Sequence, residues 1–299
     1  MNMRLTLSNE PQLNARIEKF SQWLLKIGDG QIGCTIDGVS TIQVPKELLL
    51  PYDQDPVDAI VKWTYDNLIS NSTTNTYFND RAILAPTIQM VARINDHMCA
   101  LLPGELHEFL SCDSVCEAST TSDTIENLYT TEFLNTISAS GLPPHKLLIK
   151  VGAPIMLLRN VDQQAGLCNG IRLRVTKIGK KVIEAIPLSG SGAGETVLIH
   201  RIDMNPSETT LPFRMQRRQF PIILSFAMTI NKSQRQSLKK VGLYLAKPVF
   251  THGQLYVALS RVRSVEGLKI VLGLDQEEQG TTTTNVVYHE VFSNVRMAS

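Results

Sequence analysis

The spacing of hydrophobic positions changes along this chain, and each change marks a change of architecture. Leu13, Ile17, Phe20 and Leu24 recur at helical spacing, with Asn9-Glu10-Pro11 as a start signal and Gly28 as a stop. Asp55-Pro56 opens a second helix that puts Val57, Ile60, Val61, Thr64 and Leu68 on one face. Trp23 and Trp63 fall among these apolar partners and read as core. GDGQIGCTIDG and ISNSTTNTYFND are loops by composition. Ala82–Ala85 is a short apolar strand. The helix after it turns Val91, Ile94, Met98 and Leu101 inward, with Thr87 placed to cap it. Residues 103–125 are irregular apart from a strand near Phe109, and Thr131–Ile137 is a short helix.

From residue 142 the period shortens. LLIK, PIMLL, IRLRVTKI, KVIEAIP and TVLIHRI are strand-length runs separated by turns such as GLCNG and LSGSGAG, the pattern of a small β barrel. The α/β alternation then resumes with PIILSF, a helix, VGLYLA, another helix and KIVLG. The expectation is an α/β domain interrupted by an inserted barrel. Its parts are a remnant at 1–8, a helical connecting segment at 9–75, the first part of the α/β domain at 76–141, the barrel at 142–213 and the second part at 214–299.

Composition changes this picture little, and charge more. Of 299 residues, 43% are hydrophobic and 19% charged, ordinary for a globular chain. Five scattered cysteines suit a reduced, intracellular protein better than a disulfide scaffold, and Cys112 and Cys116 lack a second pair at zinc spacing, so no metal site is expected. No apolar run reaches the roughly 18 residues of a membrane span, and the N-terminus carries no secretion signal. The net charge of +1 hides an uneven split. Residues 1–140 hold 8 Lys/Arg against 18 Asp/Glu, a balance of −10, whereas residues 201–270 hold 12 against 3, a balance of +9. The basic stretch fits either a polyanion partner or a solvated surface that offsets the acidic half.

That basic stretch contains the segment richest in chemistry, AMTINKSQRQSLKKVGLYLAKPVFTHGQLYVALSRVR at 227–263. A strand-to-helix turn carries Thr229, Asn231, Lys232, Ser233 and Gln234. A buried strand follows, then a helix tipped by Arg261 and Arg263. Hydroxyl, amide and ammonium donors near a helix start suit phosphate oxygens. The segments AMTINKSQ and HGQLYVALSRVRSVEGLKI resemble the last two motor motifs of superfamily-one DNA helicases, most closely the 5′-to-3′ enzymes of the petite-integration-frequency family in the version carried by Helitron transposons and plant genomes. NMRL, ILAPT, EFLNTI, LPPHKLLIKVGAPIMLLRNVD, GLCNGIRLRV, LPFRMQRRQFPI and NVVYHEVF agree with that family in the same order, so the resemblance runs from end to end.

The resemblance implies a RecA-like second motor domain with an inserted DNA-contacting barrel. It implies Arg261 as an arginine finger and Arg4 as a second catalytic arginine. Gln234 and Ser237, with Arg261, would bind nucleotide. Thr229, Asn231 and Lys232 would contact DNA phosphates, as would Thr87, whose alternative is the plain helix cap. His145, Lys150, Arg217 and Arg218 would contact DNA from the barrel and its exit strand, beside Arg159, Asn160 and Asn169. Residues 142–212 hold no Phe, Trp or Tyr, so base stacking would fall to Phe213 or Phe220; RMQRRQ also reads as a solvated edge. Two positions depart from the family. Ile88 stands where it has asparagine, and Arg235 where it has glycine, which allows close backbone approach.

No G-x-x-x-x-G-K-[ST] phosphate loop occurs in these residues. ATP and Mg2+ are therefore expected only with a first motor domain supplied from elsewhere. The partners implied are that domain and single-stranded or forked DNA, for a monomer in the nucleus or mitochondrion, away from membranes. The readings are the second motor domain of an ATP-dependent helicase, a truncated single-strand-binding module that hydrolyses nothing, or an inert transposon remnant.

Overall fold

A computed structural model describes residues 11–72, 74–116, 129–139, 141–190, 192–206, 211–273 and 281–290. Along the chain run helix α1 (Pro11–Gly28), strands β1 (Cys34–Ile36) and β2 (Val39–Gln43), and helices α2 (Pro56–Thr64), α3 (Leu68–Asn71) and α4 (Asn75–Asn79). Strand β3 (Arg81–Ala85), helix α5 (Ile88–Leu101), strands β4 (His107–Leu110) and β5 (Cys112–Cys116) and helix α6 (Thr131–Thr136) follow. Then come β6 (Lys146–Ile149), β7 (Pro154–Leu157), β8 (Arg172–Ile178), β9 (Val182–Pro187), β10 (Val197–His200), β11 (Ile202–Met204), β12 (Arg214–Gln219) and β13 (Ile222–Leu224). The last elements are β14 (Ala227–Thr229), β15 (Lys240–Leu245), helix α7 (Gln254–Leu259), β16 (Leu268–Leu272) and β17 (Thr282–Val286). The chain forms two compact units: Met1–Leu68 with Asp80–Asp96 and Ala227–Ser299, and Ile69–Asn79 with His97–Phe226.

The first unit is built on a parallel sheet in the order β14-β3-β15-β16. A parallel sheet is covered on both faces, which is why its strands read as continuous apolar runs. Ala82, Ile83, Leu84, Ala85, Val241 and Leu243 are all fully buried. Helix α2 starts where its sequence signals say, with Asp55 Oδ1 accepting from Val57 N–H at 2.9 Å. Its residues Ile60 and Thr64 lie against Gly242, where an added Cβ would meet Thr64 Oγ1 and stand 2.8 Å from Ile60 Cγ1. Only glycine lets helix and strand approach this closely. Helix α1 buries Ile17, Phe20, Leu24 and Ile27, the stripe its period requires. The GDGQIGCTIDG stretch is more ordered than its composition implies, since β1 and β2 pair as a hairpin that β17 extends into a three-stranded antiparallel sheet.

The second unit is antiparallel. It holds a five-stranded sheet in the order β10-β9-β8-β7-β13, a three-stranded sheet β11-β12-β5 and the pair β4-β6. Alternation sets the inner faces, with Leu173 and Val175 of β8 and Ile183 and Ala185 of β9 fully buried. No pairing among the described residues closes these sheets into a barrel. The unit also reaches beyond 142–213. Strand β5 lies within the stretch expected to be irregular and pairs with β12, Arg217 opposite Asp113. Strand β13 pairs with β7, Ile223 opposite Met156. Both pairings are long-range in sequence, so local pattern could not reveal them.

Candidate functional site

Strand β14 is an edge strand, and it leads straight into the turn that carries the nucleotide and DNA candidates. Helix α5 holds it. Asn95 is buried, its Nδ2 donates to Ala227 O at 3.1 Å, and its Oδ1 accepts from Ala227 N–H at 2.8 Å. The side-chain amide thus replaces a neighbouring strand and satisfies both backbone groups. Thr229 is the last residue of β14 and pairs with Ala85 of β3, two residues before Thr87. Thr229 and Thr87 therefore emerge at the carboxyl edge of the parallel sheet, the edge where open α/β sheets bind ligands. Thr87 Oγ1 accepts from Met90 N–H at 3.4 Å, a weak cap of helix α5.

After Thr229 the chain makes one 3-10 turn, Ile230–Ser233, rather than the expected helix. Ser233 Oγ donates to Ile230 O at 2.6 Å and closes it. The turn ends at Gln234, whose ψ of 142° is extended, and Arg235 follows with a φ of +66°, in the left-handed region that favours glycine. An arginine costs about 1–2 kcal/mol in that region. Asn231, Gln234 and Arg235 are exposed, and Thr229, Lys232 and Ser237 half-buried. Asn231 and Gln234 offer two carboxamides to solvent, donors and acceptors suited to phosphate and sugar.

Arg261, just past helix α7, is drawn inward. It is only 6% exposed, with Nε donating to Val257 O at 2.7 Å and Nη2 to Ser260 Oγ at 2.8 Å. Nη1 donates to Ser233 O at 3.4 Å, which joins Arg261 to the turn. The backbone makes the same connection, Leu238 N–H donating to Arg261 O at 2.9 Å next to Ser237. The structure therefore brings Arg261, Ser233 and Ser237 together, with Asn231, Lys232 and Gln234 on the adjoining turn. Arg4 lies outside the described residues.

The candidates in the antiparallel unit divide sharply. Arg217 was expected on a DNA-facing strand, and the structure corrects this: it is 1% exposed. Strand β12 alternates, so Arg214 and Arg218 face out while Met215, Arg217 and Gln219 face in. Arg217 Nε donates to Asp113 Oδ1 at 2.9 Å, and Nη2 donates to Asp113 Oδ2 at 2.6 Å and Leu134 O at 3.1 Å. Nη1 donates to Pro143 O at 2.9 Å and Ile137 O at 3.2 Å. Every guanidinium donor is used, leaving none for a phosphate. Arg218 is exposed but joined to Asp203 at 3.1 Å.

Lys150 is half-buried, its Nζ donating to Leu102 O at 2.6 Å and Ala100 O at 3.4 Å. It caps the carboxyl end of helix α5, where a cation meets the negative end of the helix dipole. Arg159 donates to Leu158 O and Asn205 O at 3.1 and 2.9 Å. Asn160 Oδ1 accepts from Asn169 N–H at 2.8 Å, so these two asparagines brace their own loop. His145 is half-buried, with Nδ1 2.8 Å from Ser111 Oγ. Of the two aromatics proposed for stacking, Phe220 is fully buried against Phe109, while half-buried Phe213 lies 4.1 Å from Tyr129, centroid to centroid.

Sequence reasoning missed Asn95, Ser111, Asp113 and Gln219. Asn95 had a signal, as a polar residue four positions after Val91 on the apolar face of its helix. The others had none, because the groups that fix them, His145 for Ser111, Arg217 for Asp113 and Phe109 O and His145 O for Gln219, are distant in sequence. Among the described residues no cluster of His, Cys, Asp and Glu could hold a metal ion, and no helix is long and apolar enough to cross a membrane.

Residues 132–178 match the family model described as DNA helicase Pif1, 2B domain. The human ATP-dependent DNA helicase PIF1 is 33% identical over 189 residues, which cover 60% of this chain and 25% of that protein. The Pif1 helicase of Bdellovibrio bacteriovorus is 30% identical over 159 residues, 52% of this chain and 35% of that protein. Among solved structures, a Bacteroides Pif1 helicase in complex with ADP-AlF3 and ssDNA superimposes with a TM-score of 0.56 at 22% identity, over 98% of this chain and 54% of that one. Pif1 from Candida albicans gives 0.55 at 18% identity, over 96% and 59%. The chain is thus homologous to Pif1-family DNA helicases over about 60% of its length and shares their mixed α/β fold. It spans about a quarter of the length of the human relative and about half of the solved Bacteroides chain.

Proposed function

We propose that this chain acts as the second motor domain of an ATP-dependent DNA helicase, with Arg261 as arginine finger and the turn Thr229–Gln234 as its contact to single-stranded DNA. The observation that carries the reading is the 3.4 Å bond from Arg261 Nη1 to Ser233 O, which joins the finger candidate to the turn that carries Lys232 and exposes Asn231 and Gln234. The donors of this group suit a phosphate chain. Arg261 donates to backbone carbonyls and a hydroxyl, partners weaker than a phosphate anion. ATP with Mg2+ would supply the phosphoryl group, held chiefly by a phosphate loop that these residues do not contain. Here Arg261 would stabilise charge on the transferred group, while Gln234 and Ser237 would bind beside it. The antiparallel unit corresponds in this reading to the small inserted barrel that touches single strands.

The test joins this chain to the first motor domain of the human relative. The chain alone should turn over no ATP with or without oligo(dT), while the combination should show DNA-stimulated turnover that Arg261→Ala lowers by about 10³-fold or more. Turnover by the chain alone, or indifference to Arg261→Ala, sinks the assignment.

A second reading is favoured by Arg235 at its glycine-like φ: a module that binds single strands without hydrolysis. Salt-sensitive, sequence-indifferent binding together with an inactive combination would select it.

A further inference from the structure

The pairing of β4 with β6 runs past Leu110 and Lys146 to Ser111 and His145, whose backbones join through Ser111 N–H to His145 O at 2.9 Å. Gln219 Nε2 donates to the same carbonyl at 3.1 Å, so His145 is held from two sides. The side chains of Ser111 and His145 meet too, Oγ lying 2.8 Å from Nδ1. Ser111 Oγ in turn donates to Asp113 Oδ1 at 2.6 Å. Asp113 is the buried carboxylate bound by Arg217.

Proton counting decides the direction of this chain of bonds. A hydroxyl has one proton, and an ion-paired carboxylate can only accept. The Ser111 proton therefore goes to Asp113. The contact between Ser111 Oγ and His145 Nδ1 then needs its proton from the ring. We infer that Arg217, Asp113 and Ser111 are positioning residues that hold His145 in its Nδ1–H tautomer, which leaves Nε2 of the neutral ring as a hydrogen-bond acceptor for a nucleobase N–H donor. A neutral Nε2 lone pair cannot bond a phosphate oxygen, which is itself an acceptor. The amine of a base can donate to it. Arg217 thus serves the site at one remove, by fixing the anion that orders the serine and the ring. The inference rests on the single-strand-binding reading above.

The test uses the full chain at mildly alkaline pH, where an ordinary imidazole is neutral. Long-range 1H–15N spectra should assign Nδ1–H to His145, and Ser111→Ala should release the ring to Nε2–H. A wild-type Nε2–H ring overturns the inference. Binding is then measured to single-stranded oligo(dC) and to an abasic strand of the same length. His145→Ala and Ser111→Ala should each weaken oligo(dC) binding about 3- to 10-fold, the scale of one neutral hydrogen bond, and leave abasic binding unchanged. Equal losses on both strands would make His145 a phosphate contact and overturn the inference. Binding to both strands that ignores His145→Ala overturns it alone, with the single-strand reading intact. A wild-type chain that binds neither strand overturns both.

Discussion

Two of the buried arginines, Arg217 in the antiparallel unit and Arg261 in the parallel unit, are held in different ways. In the antiparallel unit, Arg217 is welded to a carboxylate that is itself fully buried, and to three backbone carbonyls. In the parallel unit, Arg261 donates to Val257 O, Ser233 O and Ser260 Oγ, groups of its own helix end and the neighbouring turn. A guanidinium committed to a buried carboxylate is part of the fold, since moving it would strand a charge. A guanidinium resting on carbonyls and a hydroxyl can exchange them for an anion at small loss. Burial alone therefore does not fix the role of an arginine; Arg172 is buried too, and it donates to Phe78 O, Ser225 O and Ser225 Oγ.

The contrast is sharpest in stability. Arg217→Ala leaves Asp113 charged, buried and unpaired, and should cost about 3–5 kcal/mol in denaturant unfolding. A loss below about 1 kcal/mol would erase the distinction between the two arginines. Arg261→Ala removes the bonds to Val257 O, Ser233 O and Ser260 Oγ and should cost about 1–2 kcal/mol by the same measurement. Equal losses for the two variants would show that partner chemistry does not decide.

A smaller and opposite effect tests the turn beside Arg261. Arg235→Gly relieves a left-handed arginine but gives the unfolded chain more freedom, so the net gain should be about 0.5–1 kcal/mol. A destabilised variant would mean that the Arg235 side chain contributes more than its backbone strain.

The smallest effect comes from an exposed carboxylate in the parallel unit, set against the buried Asp113. A hydrogen bond from Lys240, then its charge and that of Arg81, hold the Asp66 carboxyl below the usual range against an opposing desolvation. A depressed folded value means that the ion pair stabilises above the unfolded carboxylate's titration near pH 4, and that this is lost as pH falls through the lower folded value. Asp66 is half exposed, so solvent screens it. Asp66→Asn should lower stability at neutral pH by no more than about 0.5 kcal/mol, with the difference from wild type vanishing in acid. A difference that grows on acidification would reverse the sign of the argument.

Much of the parallel unit was legible in the sequence because its signals are local. The apolar run at Ala82–Ala85, the Asp55-Pro56 helix start and the donor-rich turn after Thr229 each announce themselves within a few residues. The sequence marked Arg235 for the close backbone approach that a glycine would allow, but its left-handed φ came only with the structure. The antiparallel unit was less legible. Strand β5 escaped notice because CDSVC has little apolar alternation, and its place in the sheet comes from pairing with β12 about a hundred residues later. The helix expected after Thr229 is a single turn, because the backbone becomes extended at Gln234 and left-handed at Arg235.

The RMQRRQ strand draws the line between the two kinds of knowledge. Its sequence alone determined that neighbouring arginines must face opposite ways, because side chains alternate along a strand. It could not say which arginine faced in. That was decided by Asp113, which burial makes unable to stand without a cation, and by the carbonyls of Leu134, Ile137 and Pro143. Local backbone preference acts over a few residues and can be read from them. The choice between contact and scaffold depends on groups that only the folded chain brings within hydrogen-bond reach.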